Sequence, residues 1–301
     1  MKATNPVART ARAFLVVACA AVLVACSTTA PTPPPITTSA PEATPTVTEY
    51  DLGATVWYEG LEVHVDKAIA TLDPGGGPVE VDLRLINPTD NTGQLDAPVQ
   101  LVVGTTTIQM TQDSDIPLVP PNSSMPAQLT FNVQGAASVD GAFVEIGAAP
   151  KHVAKIPLSA QAGSPLAVFQ PVELKPSGSN TAIDMKITLH TGELRWDLPD
   201  WSEELADNLA VLTLTYDVSY VGSFPGGFAF TGGNVALRLP DGTVVTPRAD
   251  GHSQSVELIG PHKTQKGLFS RFEVPSNLSG KCQLLVRNGG TQKTITFTVG
   301  G

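Results

Sequence analysis

The sequence predicts an all-β protein with two tandem antiparallel β-sandwich domains. Apolar and polar residues alternate in short runs along most of the chain, and a period of two is typical of strands with one buried face. Clusters of turn-forming residues separate these runs, and no long helical pattern interrupts them. The 27 glycines and 26 prolines also disfavour long helices, because both residues break regular structure. Short strands in this order indicate sandwiches.

The alternating runs define the predicted strands. In the first half they are 61–66, 79–85 and 128–133, separated by the turn sequences 73–78, 87–93 and 120–124. In the second half they are 212–220, 235–239, 272–274 and 294–299. Asp241-Gly242 follows one of these runs, and Asp-Gly between two strands predicts a tight hairpin.

The two halves resemble each other in the order of their segments. PVQLVVGTTTIQM is similar to NVALRLPDGTVVT, PPNSSMPAQLTFNV to GPHKTQKGLFSRFEV, and DGAFVEIGAAPKHVAKIPL to SGKCQLLVRNGGTQKTITFTV. We therefore expect two copies of one domain, at 49–160 and 161–301, each of ordinary domain size.

The N-terminal residues have the pattern of an export signal. Lys2, Arg9 and Arg12 precede an apolar run from Ala13 to Ala25, which is shorter than the about 20 residues that a membrane-spanning helix needs. The run ends Leu23-Val24-Ala25-Cys26, which resembles the bacterial lipobox. The resemblance implies cleavage after residue 25 and a diacylglyceryl anchor on Cys26, at the extracytoplasmic face of the cell membrane. An ordinary secretory signal with an incidental cysteine is the alternative.

Residues 26–48 are predicted to be a stalk. The segment is rich in Thr, Pro, Ala and Ser and has a single charged residue, Glu42. Such a composition cannot form a core and favours extended polyproline II structure.

Three segments of the first half together resemble a bacterial Ig-like β-sandwich. They are GLEVHV, INPTDN and PPNSSMPAQLTFNV. The resemblance is to a domain of unknown function on Gram-positive lipoproteins, related to the mycobacterial secreted immunogenic protein, and it extends to the second half. It implies tandem Ig-like folds and carries over no catalytic residue.

Composition and scattered reactive residues limit the function classes. The net charge of −10 excludes a typical nucleic-acid-binding surface, which is basic. If Cys19 leaves with the signal and Cys26 is lipidated, Cys282 is the one remaining thiol; its strand position predicts burial, not catalysis. The five histidines show no metal-ligand spacing, and the Asp, His and Ser within 250–255 lack the setting of a catalytic triad. We predict no catalytic residue, metal or cofactor.

The segment TGELRWDLPDWSEELADNLA, residues 191–210, is the first candidate binding surface. Asp200 and Glu203 are spaced as a helix-capping box, which predicts a short helix near 200–208. The segment is either a helical plug with its tryptophans in the core or an acidic, aromatic docking surface; paired catalytic carboxylates are a third interpretation. Its candidate residues are Trp196, Trp201, Glu203, Glu204 and Asp207.

The loop sequence GSFPGGFAF, residues 222–230, is the second candidate. Loops on a rigid frame often bind partners, and Phe224, Phe228 and Phe230 are candidate anchors. The alternative is a glycine bulge whose phenylalanines pack inward.

The function we expect is that of a non-enzymatic, membrane-anchored binding or scaffolding module of the bacterial cell envelope. The partners it implies are the membrane, through Cys26, and an envelope protein or a cell-wall glycan. The alternatives are an accessory or catalytic component of cell-wall or glycan chemistry, and a carrier of a small ligand or metal.

Overall fold

Strands account for nearly all regular structure in the described chain. The computed structural model describes residues 43–163, 165–250 and 255–300. The predicted signal, Cys26 and the stalk up to residue 42 lie outside these ranges, as do residues 251–254. The residues from Ala43 onward form one compact unit. Among the described residues, no helix has both the length and the apolar character that crossing a bilayer requires.

The N-terminal half forms two four-stranded antiparallel sheets, in the orders β1-β2-β3-β6 and β5-β4-β7-β8. Their strands are β1 (Thr46–Tyr58), β2 (Leu61–Leu72), β3 (Gly76–Asn87), β4 (Val99–Val103), β5 (Thr106–Gln109), β6 (Ser123–Gln134), β7 (Phe143–Ile146) and β8 (Ala154–Pro157).

One hydrophobic cluster, the first core, takes side chains from both of these sheets. Buried residues alternate with polar ones along β2, β3 and β6, as the sequence predicts. Phe131 and Leu129 of β6 and Leu101 of β4 are completely buried in it. The pairing of β1 with β2 is interrupted by a bulge between Asp51 and Ala54.

The C-terminal half forms one sheet in the order β10-β11-β14-β19, with β9 also paired to β11, and a second in the order β17-β16-β20-β21. Two ribbons, β12-β13 and β15-β18, complete it. The strands are β9 (Val172–Leu174), β10 (Gly178–Ala182), β11 (Met185–Arg195), β12 (Asp197–Leu198), β13 (Glu203–Glu204), β14 (Leu209–Tyr220), β15 (Phe228–Phe230), β16 (Val235–Arg238), β17 (Val244–Val245), β18 (Glu257–Ile259), β19 (Thr264–Pro275), β20 (Gly280–Asn288) and β21 (Thr291–Val299).

The second core lies within this half, and its sheets repeat the order found in the first. The hairpin β16-β17 stands where β4-β5 stands, and β20-β21 where β7-β8 stands. The predicted Asp241-Gly242 turn joins β16 to β17, with Gly242 at a φ of +93°. Cys282 is buried in this core beside Leu284 and Val286, so the predicted inward position of the thiol is confirmed.

Two sequence-based predictions are wrong, one of a boundary and one of a helix. The predicted stalk extends to residue 48, but β1 already begins at Thr46, which pairs with Leu72. The helix predicted near 200–208 is absent. Instead, a 3-10 turn at Pro199–Trp201 joins β12 to β13. Ser202 ends the turn with a φ of +49°, a conformation that a right-handed helix cannot continue.

Candidate functional site

The residues singled out in the sequence lie at a junction between the two halves, on the outer surface of the C-terminal half, and in or against the second core. The ribbon β12-β13 with its 3-10 turn, here called the junction ribbon (residues 197–204), touches both the junction and that outer surface. Its Glu203 is exposed while Glu204 is buried. Adjacent residues of a strand point to opposite faces, so the two carboxylates do not face a common pocket as a catalytic pair would.

Trp201 is the exposed member of the junction ribbon. Its side chain is 49% exposed, and its ring lies 5.2 Å from the guanidinium carbon of Arg271. That carbon also lies 4.9 Å from the ring of Phe269, and Arg271 forms an ion pair with Asp200. Cation–π contacts and the ion pair therefore hold a half-exposed tryptophan in place. We call Asp200, Trp201, Phe269 and Arg271 the aromatic platform.

Trp196 and Asp207 have structural roles. Trp196 is partly buried against the second core, with its ring centre 6.2 Å from that of Phe169. The exposed Asp207 donates its backbone N–H to the carbonyl oxygen of Pro150 at 2.9 Å. The segment thus combines the two interpretations drawn from its sequence, since part of it packs inward while Trp201 and Glu203 remain at the surface.

The three phenylalanines of the 222–230 loop have different environments. Phe230 is completely buried, edge-on to Tyr216, and Phe228 is partly buried and stacked on Tyr220. Phe224 is 66% exposed. Burial excludes Phe230 and Glu204 from any exposed binding surface, so those two candidate assignments are wrong, and Phe224 is the anchor that remains accessible.

The junction is built around the turn between β1 and β2. The backbone N–H of Gly60 donates to Oδ2 of Asp197 at 2.7 Å, and that of Glu59 donates to Oε2 of Glu204 at 3.2 Å. Within the N-terminal half, Oε2 of Glu59 accepts hydrogen bonds from the backbone N–H groups of Asp96 and Ala97. Two carboxylates from the C-terminal half therefore bind the backbone of a turn in the N-terminal half.

Gly60 allows this close approach. Its φ is +83°, and a Cβ atom at this position would lie 2.6 Å from Cα of Pro199, far inside van der Waals contact. The 3-10 turn of the junction ribbon therefore rests directly on glycine backbone.

Arg195 neutralises part of the buried charge. Its Nε donates to Oδ1 of Asp197 at 2.7 Å, its Nη2 to Oδ2 at 3.1 Å, and its Nη1 to Glu193 at 3.3 Å. Burial opposes the charged form of the guanidinium, but the hydrogen bonds and charges of Asp197 and Glu193 prevail and raise the pKa of Arg195. The Arg195–Asp197 pair is bidentate, which fixes the orientation of the carboxylate.

Backbone contacts extend the junction on both sides. The backbone N–H of Trp57 donates to the carbonyl oxygen of Val168 at 2.9 Å. The backbone N–H of His152 donates to the carbonyl oxygen of Leu205 at 3.2 Å. The ring Nε2 of the buried His152 lies 2.8 Å from the carbonyl oxygen of Leu209. A carbonyl oxygen can only accept, so this nitrogen carries a hydrogen.

Burial shifts the acid strength of the junction carboxyls. Desolvation, followed by the charge of Asp197, raises the pKa of Glu204 to about 9. Desolvation also raises the pKa of Glu59, although its two backbone hydrogen bonds oppose the shift. Oε1 of Glu204 has no hydrogen-bond partner among the described residues. A protonated Glu204 is the consistent state at neutral pH.

Sequence reasoning missed Glu59, Asp197 and Arg195 as a group. Alternation predicts which residues of one strand face inward, but the hydrogen bond from Glu59 to Glu204 joins positions 145 residues apart. One local signal was present: Asp197 lies between Trp196 and Leu198, and an acid among apolar residues is buried only with partners.

The polar INPTDN segment has a structural role. The buried Asn87 donates through Nδ2 to the carbonyl oxygens of Asn91 and Val119, at 2.7 and 2.9 Å. Its Oδ1 accepts the backbone N–H and the hydroxyl of Thr89. These bonds hold the loop after β3, so the motif supports the fold.

Other reactive side chains do not converge. Within the described ranges, no group of three or more His, Cys, Asp or Glu residues is placed to hold a metal ion. Burial raises the pKa of the Cys282 thiol to about 11, far from that of a nucleophile. Of the residues 250–255 considered for a triad, 251–254 lie outside the described chain.

Comparisons with known proteins add no functional information. No protein-family model and no curated protein matches the chain. Among solved structures, a conserved domain protein from Bacillus anthracis matches with 8% identity over 83% of this chain and 90% of its own, at a TM-score of 0.25. The Pseudomonas aeruginosa CupB2 chaperone matches with 14% identity over 73% of this chain and 92% of its own, at a TM-score of 0.18. Similarities at such TM-scores carry no argument about fold or function.

Proposed function

We propose that this chain is a non-enzymatic binding or scaffolding module of the bacterial cell envelope. In this proposal, two tandem Ig-like sandwiches, the first beginning with β1 at Thr46 and the second covering 161–301, stand outside the membrane on a stalk anchored through a lipid at Cys26. The lipobox-like sequence before Cys26 supports the anchor, and the repeated sheet order supports the tandem arrangement. A module of this kind needs a stable surface and no chemistry of its own.

The aromatic platform is the observation that carries the binding proposal. Arg271, Asp200 and Phe269 hold Trp201 in position before any partner arrives, while about half of its side chain stays exposed. A preorganised aromatic residue loses little conformational entropy on binding, and tryptophan and arginine dominate binding hot spots. We propose that an envelope protein or a cell-wall glycan binds over Trp201, with Phe224 as a second contact.

One form of the catalytic alternative, the paired carboxylates, has no support from the geometry. It required Trp201, Glu203 and Glu204 to share one pocket, but Glu203 is exposed and Glu204 lies in the junction. The binding proposal is unaffected, because the aromatic platform contains neither Glu203 nor Glu204.

A cross-linking experiment on membranes tests the proposal. The full chain, Trp201→Ala, Phe224→Ala and Leu118→Ala would each be cross-linked in the native envelope and recovered with their partners. We expect Trp201→Ala to weaken partner capture more than about tenfold, since losing a hot-spot aromatic costs ~2 kcal/mol. The control Leu118→Ala removes an apolar side chain that is also exposed but lies in the other half, and it should leave capture unchanged.

The anchor is tested in the same preparation with Cys26→Ala. We expect this variant to leave the membrane fraction and yet capture the partner once isolated. Equal capture by all surface variants would overturn the binding proposal, and a membrane-bound, still acylated Cys26→Ala protein would overturn the anchor.

A further inference from the structure

The junction between the two halves buries more acidic than basic side chains. Glu59, Asp197 and Glu204 are all at least nine-tenths buried. Arg195 pairs with Asp197, whereas Glu59 and Glu204 each rely on backbone N–H groups. Burying a carboxylate without a cation is costly unless a proton neutralises it.

Glu204 is the least satisfied of the three. It is 1% exposed, Oε2 accepts one hydrogen bond, from the N–H of Glu59, and Oε1 has no hydrogen-bond partner among the described residues. A carboxylate here would have one oxygen bare in a low-dielectric site. The protonated form keeps the bond through Oε2 and removes the charge.

The charged and titratable groups around Glu204 come from each element of the junction. On the β1–β2 side they are Tyr58 and Glu59, and on the loop after β7 they are Lys151 and His152. Asp197, on β12, repels a charged Glu204, with Arg195 and Glu193 behind it. Lys151, an exposed residue, is the cation that favours the charged form of Glu204.

We propose that the junction is a proton-controlled latch, in which a protonated Glu204 holds the junction ribbon on the β1–β2 turn and a charged Glu204 lets the ribbon lift away. Lifting breaks the bonds from Glu59 to Glu204 and from Gly60 to Asp197. It brings water to the carboxylate. The buried apolar residue of the ribbon, Leu198, packs in a small separate cluster with Leu205 and Val211 and belongs to neither core, so both cores stay intact.

The direction of the pH effect follows from the two states. The pKa of Glu204 is about 9 when the junction is closed and tends toward its usual 4.5 when water reaches the carboxyl. The closed state therefore binds the proton more tightly and is most favoured below pH 4.5. Between pH 4.5 and 9 the ratio of closed to open junction falls by up to tenfold per pH unit, and above that range it levels off.

Hydrogen exchange at the backbone amides of the full chain tests the latch directly. The amides of Glu59 and Gly60 are protected only while the latch is closed. Protection at these amides would be compared between the wild type and Glu204→Gln at each pH from 5 to 9, which cancels the intrinsic pH dependence of exchange. Glutamine keeps an oxygen acceptor and cannot ionise. The wild-type protection should fall relative to the variant by up to tenfold per pH unit.

Two controls keep the outcome decisive. Glu203→Gln changes the exposed neighbour and should behave as the wild type. If Glu204→Gln fails to fold, the wild type alone suffices: the protection of Gly60 relative to Gly93, whose N–H bonds to Val119 within the N-terminal half, should fall as pH rises. A pH-independent ratio, or parallel profiles for the wild type and Glu204→Gln, would overturn the latch.

Discussion

Gly60 is the residue on which the fit between the two halves depends most directly. Its positive φ is costly for other L-residues, and its missing Cβ makes room for Pro199. The same residue donates to Asp197. Backbone conformation, close packing and a charge-assisted hydrogen bond thus coincide at one position.

We expect Gly60→Ala to lower the free energy of unfolding by about 3 kcal/mol, since a left-handed conformation costs ~1–2 kcal/mol and displacing Pro199 adds to it. Chemical denaturation measures the change. Gly104→Ala is the matched control, because Gly104 also has a positive φ, +61°, but has nothing within 4 Å of its added Cβ; about 1–2 kcal/mol is expected there. Equal losses at the two sites would show that the contact with Pro199 contributes nothing.

The burial of some residues can be predicted from their sequence neighbours, whereas that of others depends on contacts far along the chain. Local alternation alone predicts that Cys282 faces inward, and its burial beside Leu284 and Val286 is confirmed. The sequence predicts that Glu204 lies at the surface, because an acidic residue is mostly exposed unless it is paired. The partner that explains its burial, the backbone of Glu59, comes from the other half of the chain, and no local pattern signals that contact.

The β10–β11 hairpin shows how an element forms without its usual turn sequence. Ala182 pairs with Met185, so Ile183 and Asp184 form the turn. Ile183 has a φ of +55° and is 53% exposed. Glycine is the usual residue where the first position of a two-residue turn has a positive φ. The sequence predicts Asp241-Gly242 as a turn because its glycine readily takes a positive φ, whereas Ile183-Asp184 gives no such signal.

We expect Ile183→Gly to raise the free energy of unfolding by about 0.5–1 kcal/mol, because relief of the left-handed strain exceeds the added flexibility of the unfolded chain. Thermal denaturation would detect it as a higher midpoint. Ile183→Ala separates strain from packing, since alanine loses the side chain but keeps the Cβ that causes the strain. A glycine variant no more stable than the alanine variant would contradict the explanation.

The two halves are expected to unfold together, because their contact is specific and buried. Each half has its own core, and alternation within strands predicts most of both. What joins them is a set of hydrogen bonds that Asp197 and Glu204 accept from the β1–β2 turn, together with backbone hydrogen bonds near His152. Sequence similarity between the halves predicts the repetition but carries no information about how one copy contacts the other.

We expect calorimetry of the wild type to show one transition and that of Asp197→Ala to show two. The variant leaves the N–H of Gly60 without its acceptor and the partly buried Arg195 with Glu193 as its remaining ion-pair partner, and breaking a buried pair costs about 3–5 kcal/mol. The control Asp200→Ala removes a half-exposed partner of Arg271 and should cost only about 0–1 kcal/mol. A single transition in Asp197→Ala would mean that other contacts are enough to couple the halves.

The bulge in β1 affects whether neighbouring copies of the chain can pair through their sheet edges at high local concentration. β1 is the outermost strand of its sheet, and an open strand edge can recruit a strand from another chain. Here Gly53, at a φ of +53°, lies within the bulge between Asp51 and Ala54, and the exposed Glu49 and Asp51 add negative charge on either side of Tyr50. A twisted, charged edge is a poor template for further strand pairing. Many copies of the chain can therefore lie side by side without growing into a shared sheet.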